Sequence, residues 1–129
     1  MRMVSLPCSD PHVFRQTIQI ICIEPPAGQL RFTEAPVVGF VRDLFKAAIE
    51  HTPGPFFSTG GDEINKRCYA EDDVVQGTLN KTGRTFEQAL DDFTQKTHAA
   101  ILESGKTPVV WQEMVIDHRV KLDPKTVVL

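Results

Sequence analysis

Two short strings hold the side chains best placed to do chemistry: Gly60-Gly61-Asp62-Glu63 and Trp111-Gln112-Glu113. A Gly-Gly pair lets the backbone turn sharply and lets a ligand approach closely, so Asp62 and Glu63 are presented to a cleft, where carboxylates move protons or hold a hard cation. Neighbouring side chains on a regular strand face opposite ways. Both carboxylates therefore serve one site only where the chain has left strand geometry. Two other readings compete with this one. In the first, Asp62 caps the next helix and Glu63 is merely solvated. In the second, Asp62, Glu63 and Glu113 hold magnesium or calcium, although their spacing demands no metal. A phosphate-cradling loop is rejected, because two carboxylates repel phosphate and no Lys-Ser/Thr follows in the P-loop pattern.

The surrounding elements are legible from periodicity. Pro36 suits a first helical turn, and Val37, Phe40, Val41, Leu44, Phe45, Ala48 and Ile49 follow at i, i+3, i+4, i+7, i+8, i+11, i+12. This stripe predicts an amphipathic helix that His51-Thr52-Pro53-Gly54-Pro55 must stop. Phe56-Phe57-Ser58 then reads as a buried strand ended by Gly60-Gly61, and residues 64–84 read as a polar segment. Thr85-Phe86-Glu87-Gln88 is a capping box opening a second helix with an apolar stripe of Phe86, Leu90, Phe93, Ala100 and Ile101, stopped at Gly105. Pro108 to Trp111 and Thr126 to Leu129 read as further strands. Strands alternating with helices predict an α/β fold with a parallel sheet and with chemistry at the carboxyl ends of its strands. His98 is expected on a polar helix face and His51 in a turn, both solvated, whereas His118 is expected in a loop near the site.

Composition narrows the partners. The chain has 129 residues, 41% hydrophobic and 24% charged, with 14 Lys and Arg against 17 Asp and Glu. Those basic residues are scattered, so nucleic acid is a poor partner. The longest apolar run, Ile20 to Ile23, falls far short of the roughly 20 residues of a membrane span, and membrane is not expected either. Cys8, Cys22 and Cys68 form no CxxC pair or zinc-ligand cluster, and no cofactor or metal is expected. The first ten residues lack the apolar core of a secretory signal.

Longer strings are more specific. Phe57-Ser58-Thr59-Gly60-Gly61-Asp62-Glu63-Ile64-Asn65, then Cys68-Tyr69, then Gly105-Lys106-Thr107-Pro108-Val109-Val110-Trp111-Gln112-Glu113-Met114 resemble the family 20 glycoside hydrolases, the β-N-acetylhexosaminidases. Glu24-Pro25-Pro26-Ala27-Gly28-Gln29-Leu30 is similar to the fungal branch of that family. The resemblance runs over residues 24–129, an incomplete catalytic barrel, and leaves 1–23 as an unassigned N-terminal segment.

The resemblance implies a (β/α)8 TIM barrel, a fold that typically takes about 250 residues, of which this chain would supply strands four to six with their helices. Strands one to three and seven to eight would lie outside it, with a sugar-gripping Arg and later pocket residues. It also implies substrate-assisted hydrolysis of terminal N-acetylhexosamines from glycans or chitooligosaccharides, in which the acetamido oxygen is the nucleophile. Glu63 would protonate the leaving oxygen and Asp62 would hold the acetamido N–H; adjacent carboxylates help keep one protonated and one ionised. Trp111 would wall the sugar pocket. Glu113, taken to face the same side as Trp111, would either support that wall or be a charge at the barrel mouth. Ser58 stands where many members carry His, and Tyr69 where relatives often carry Trp, the latter a structural change. Cys68 is similar to a cysteine that relatives bridge to a loop, with no partner assigned here. Members are mostly secreted or lysosomal/vacuolar, and the parent would be a homodimer. A chain without catalysis, a truncated product or sugar-binding remnant, is the competing expectation.

Overall fold

Residues 29–129 are described by a computed structural model of the chain. The boundary drawn at residues 23 and 24, together with Cys8 and Cys22, lies outside them. Elements run in the order α1 (Ala35–Glu50), β1 (Phe56–Gly60), α2 (Lys66–Glu71), α3 (Asp73–Thr82), α4 (Phe86–Glu103), β2 (Thr107–Val110), α5 (Glu113–Ile116) and β3 (Val127–Val128). The three strands form one parallel sheet in the order β1-β2-β3. Parallel neighbours must be joined by crossovers, and α2 to α4 supply the one between β1 and β2.

Both long helices start where their chemistry directs. Proline occupies the first turn of α1. In α4 the capping box is complete: Gln88 N–H donates to Thr85 Oγ1 at 3.2 Å and Thr85 N–H donates to Gln88 Oε1 at 3.0 Å. The segment expected to be merely polar instead folds into α2 and α3. Its apolar residues are too few to announce a stripe, and side-chain caps define both helices: Asn65 Oδ1 accepts from Cys68 N–H at 3.2 Å, and Asp72 Oδ1 from Val75 N–H at 2.8 Å.

The core lies between the sheet and α2–α4, and it gathers Phe32, Tyr69, Val75, Leu79, Leu90 and Val110. Phe32 meets Tyr69 and Phe86 edge to face, with centroids 5.0 and 5.2 Å apart. Tyr69 is thus structural, as expected, and its hydroxyl also donates to Leu30 O at 2.8 Å. The stripe on α1 is only partly covered: Val37, Val41 and Ile49 are buried, while Phe40 and Leu44 are about half exposed, contrary to the periodicity. Nothing among the described residues packs over that side of the helix.

His98 departs from the polar face expected for it, while His118 keeps the expected loop position, after α5. His98 is buried, because α4 is covered on a wider face than its apolar stripe, one that includes Thr94 and Thr97. His118 is buried too, beside Phe86, and its Nδ1 finds no partner.

Candidate active site

Strand β1 carries the acidic pair out of the sheet. Its pairing with β2 slips between Ser58 and Gly60, and the ladder closes with Trp111 N–H donating to Gly60 O at 3.0 Å. That bond ties Trp111 to the root of the acidic turn. Gly60, Gly61 and Glu63 then take positive φ values of 74°, 97° and 56°, so the chain leaves strand geometry where the sequence required it to. For Glu63, which has a Cβ, this backbone is strained. Gly61 is held from the other side, since a Cβ there would collide with Cγ and Sδ of buried Met114.

Asp62 and Glu63 are both exposed, at the carboxyl end of β1. Asp62 does not cap the following helix; that task falls to Asn65. Among the described residues no group of three or more His, Cys, Asp or Glu is arranged to hold a metal ion, and Asp62, Glu63 and Glu113 form no such group. Nor is any described helix long and apolar enough to cross a membrane.

Trp111 is exposed directly after β2. Glu113 does not share its face by strand alternation, because β2 has already ended and Glu113 opens α5. It is half-buried, with Oε2 unpartnered. His118 N–H donates to Glu113 O at 3.2 Å. The His118 ring is held below the usual histidine pKa by burial and the Lys66 charge, against the opposite pull of Asp117, Glu87 and Glu113.

Three supports were not legible as such in the sequence. Gln29 donates through Nε2 to Glu63 O at 2.7 Å and accepts at Oε1 from Asn65 N–H at 3.0 Å. Thr59 Oγ1 lies 3.0 Å from His98 Nε2 and 3.4 Å from Val109 O, within hydrogen-bond reach of both. Burial lowers the His98 pKa to about 4, so the ring is neutral near pH 7. Met114 completes the set. A cavity of about 310 Å³ behind the turn is lined in part by Gln29, Thr59, Gly61, Asp62, His98 and Met114, while Glu63 and Trp111 lie outside its wall.

The chain is similar to known proteins along most of its length. The profile for glycosyl hydrolase family 20, catalytic domain, matches residues 5–129. A beta-hexosaminidase of Arthroderma benhamiae is 34% identical over 97 residues, 73% of this chain and 15% of that protein. Beta-hexosaminidase subunit beta of Mus musculus is 35% identical over 91 residues, 69% of this chain and 17% of the relative. The match thus spans about a sixth of these relatives. A chitobiase of Flavobacterium johnsoniae shares the fold with a TM-score of 0.63 at 22% identity, over 78% of this chain and 15% of that one. An acidic Gly-Gly turn beside an exposed tryptophan, inside a profile match that takes in nearly all of the sequence, places the chain in glycosyl hydrolase family 20, within its catalytic domain.

Proposed function

We propose that the chain supplies the acid–base centre for removing terminal N-acetylhexosamine residues from glycans or chitooligosaccharides, as about strands four to six of a (β/α)8 barrel. The observation that carries this reading is the left-handed run at Gly60, Gly61 and Glu63, which turns both carboxylates out of the sheet next to the Trp111 anchor. In the proposed reaction the substrate's acetamido oxygen attacks the anomeric carbon while Glu63 donates a proton to the departing glycosidic oxygen. Asp62 accepts a hydrogen bond from the acetamido N–H and stabilises the cyclic oxazolinium cation. Glu63, now ionised, takes a proton from water as that water opens the ring, and the free sugar leaves with its configuration retained. Trp111 covers the apolar face of the pyranose. Glu113, half-buried at the start of α5, supports the Trp111 end of the strand rather than touching sugar. No protein carboxylate bonds to sugar in this scheme.

The scheme is tested in a hybrid in which this chain replaces the matching segment of the Arthroderma benhamiae relative. After incubation with an activated fluorinated sugar lacking the acetamido group, mass spectrometry should find no adduct on Asp62 or Glu63. An adduct on either would assign an enzyme nucleophile and overturn the substrate-assisted reading.

A further inference from the structure

We propose that Gln29 is a positioning residue for Glu63, holding the backbone of the acid in the conformation that aims its carboxyl group. The inference rests on the reading of Glu63 as the acid and adds a residue to that site. Its amide lies 34 positions upstream of the residue it binds and makes two bonds of opposite sense. Nε2 donates to the Glu63 carbonyl, and Oε1 accepts from the Asn65 N–H, at 2.7 and 3.0 Å. A primary amide offers donor and acceptor side by side, as a strand backbone does, so Gln29 spans Ile64 and pins the carbonyl end of Glu63 without adding a strand.

The clamp falls where strain is stored. A glutamate at φ 56° persists only if its surroundings over-determine that backbone. One determinant lies before Glu63, where Gly61 is pressed on Met114; Gln29 supplies the one after it. Gln29 is itself anchored through its neighbours. Tyr69 Oη donates to Leu30 O at 2.8 Å, Arg31 Nη2 donates to Asp72 Oδ2 at 2.8 Å, and Phe32 is buried in the aromatic core. The amide therefore has a fixed base from which to hold the turn. Asn65, bound by Gln29, in turn caps α2, so the clamp links the acid to the helix that follows it.

Nuclear magnetic resonance on the full chain and on its Gln29→Ala and Gln29→Glu variants tests this. In Gln29→Ala the Asn65 amide should exchange roughly fivefold faster or more, and the coupling constant that reports φ of Glu63 should change, while exchange at Val75, capped independently by Asp72, stays as it was. Gln29→Glu keeps the acceptor for Asn65 N–H and loses the donor to Glu63 O. It should recover Asn65 protection but not the Glu63 carbonyl carbon shift, a split that general loosening of the segment would not produce. An unchanged Asn65 exchange rate and Glu63 coupling in Gln29→Ala would overturn the clamp. Titration with a stable cyclic oxazolinium mimic, followed at the Trp111 indole, reads the functional half separately. It should bind the hybrid in which this chain replaces the matching segment of the Arthroderma benhamiae relative, and bind the hybrid carrying Gln29→Ala roughly threefold or more weakly. Equal affinity in the two would overturn the positioning role, and no binding by the unsubstituted hybrid would overturn the reading of the site while the exchange data still decide the clamp.

Discussion

At the scale of single residues, the acidic turn is held by contacts that leave little room for substitution. Gly61→Ala adds a methyl group against Met114 at a φ of 97° and should destabilise the chain by about 2–3 kcal/mol in chemical denaturation. In a Met114→Ala background, which carries its own cavity cost, Gly61→Ala should cost less than in the unsubstituted chain but still destabilise, since the collision is relieved and the backbone strain is not; no cost there would mean the conformation is free of strain. His98 makes a pH-dependent contribution. Its folded pKa, about 4, lies below the ordinary 6.5, so the unfolded chain binds the extra proton first. Stability is then complete above about pH 6.5 and falls by on the order of 3 kcal/mol as the pH drops to about 4. His98→Gln should flatten that part of the stability–pH curve, and an unaltered slope would show that His98 is not what acid titrates.

At the scale of elements, the segment before α1 is docked by a bidentate ion pair. Burial works to raise the Asp72 pKa, but hydrogen bonds from Arg31 and from Val75 N–H, with the Arg31 charge, outweigh it and hold the carboxyl below its usual value. Arg31→Met should strand a buried carboxylate and cost about 3 kcal/mol; Arg31→Met with Asp72→Asn should cost less than the single change. Denaturation of the two variants beside the unsubstituted chain checks this, and a double variant worse than the single would contradict it. The long elements were legible in the sequence because each carries a local signal: the 3.6-residue stripe of α1, the Thr85–Gln88 box of α4, the Pro-Gly-Pro stop before β1. Helices α2 and α3 were not, because side-chain caps rather than apolar period define them. Asp62, Glu63 and Trp111 were singled out by motif, and all three lie exposed just past strand ends. Glu113 was misplaced by assuming that the strand continued, and Gln29 could not be found because its partners are 34 and 36 residues away. His98 was misread because a helix face buried by threonines carries no hydrophobic signature.

At the scale of the whole molecule, Phe40, Leu44, Phe56 and Val128 are exposed, and β1 and β3 form the two edges of the sheet among the described residues. Apolar side chains beside unpaired strand edges predict concentration-dependent self-association, which sedimentation reads directly. A monodisperse monomer with one sharp unfolding transition would contradict it. Orientation of a sugar needs groups on several strand ends at once, and the three strands among the described residues supply few. The chain alone should therefore hydrolyse an aryl N-acetylglucosaminide no faster than buffer, and saturable turnover abolished by Glu63→Gln would refute that. The most direct measurement of the central claim is turnover of the same substrate by the hybrid with the Arthroderma benhamiae relative, with and without Glu63→Gln. The account predicts saturable hydrolysis that falls by about 10²-fold or more in the variant, most severely for substrates with poor leaving groups, because the lost group is the proton donor. Equal turnover by the hybrid and its Glu63→Gln variant would contradict the assignment of Glu63 as the acid.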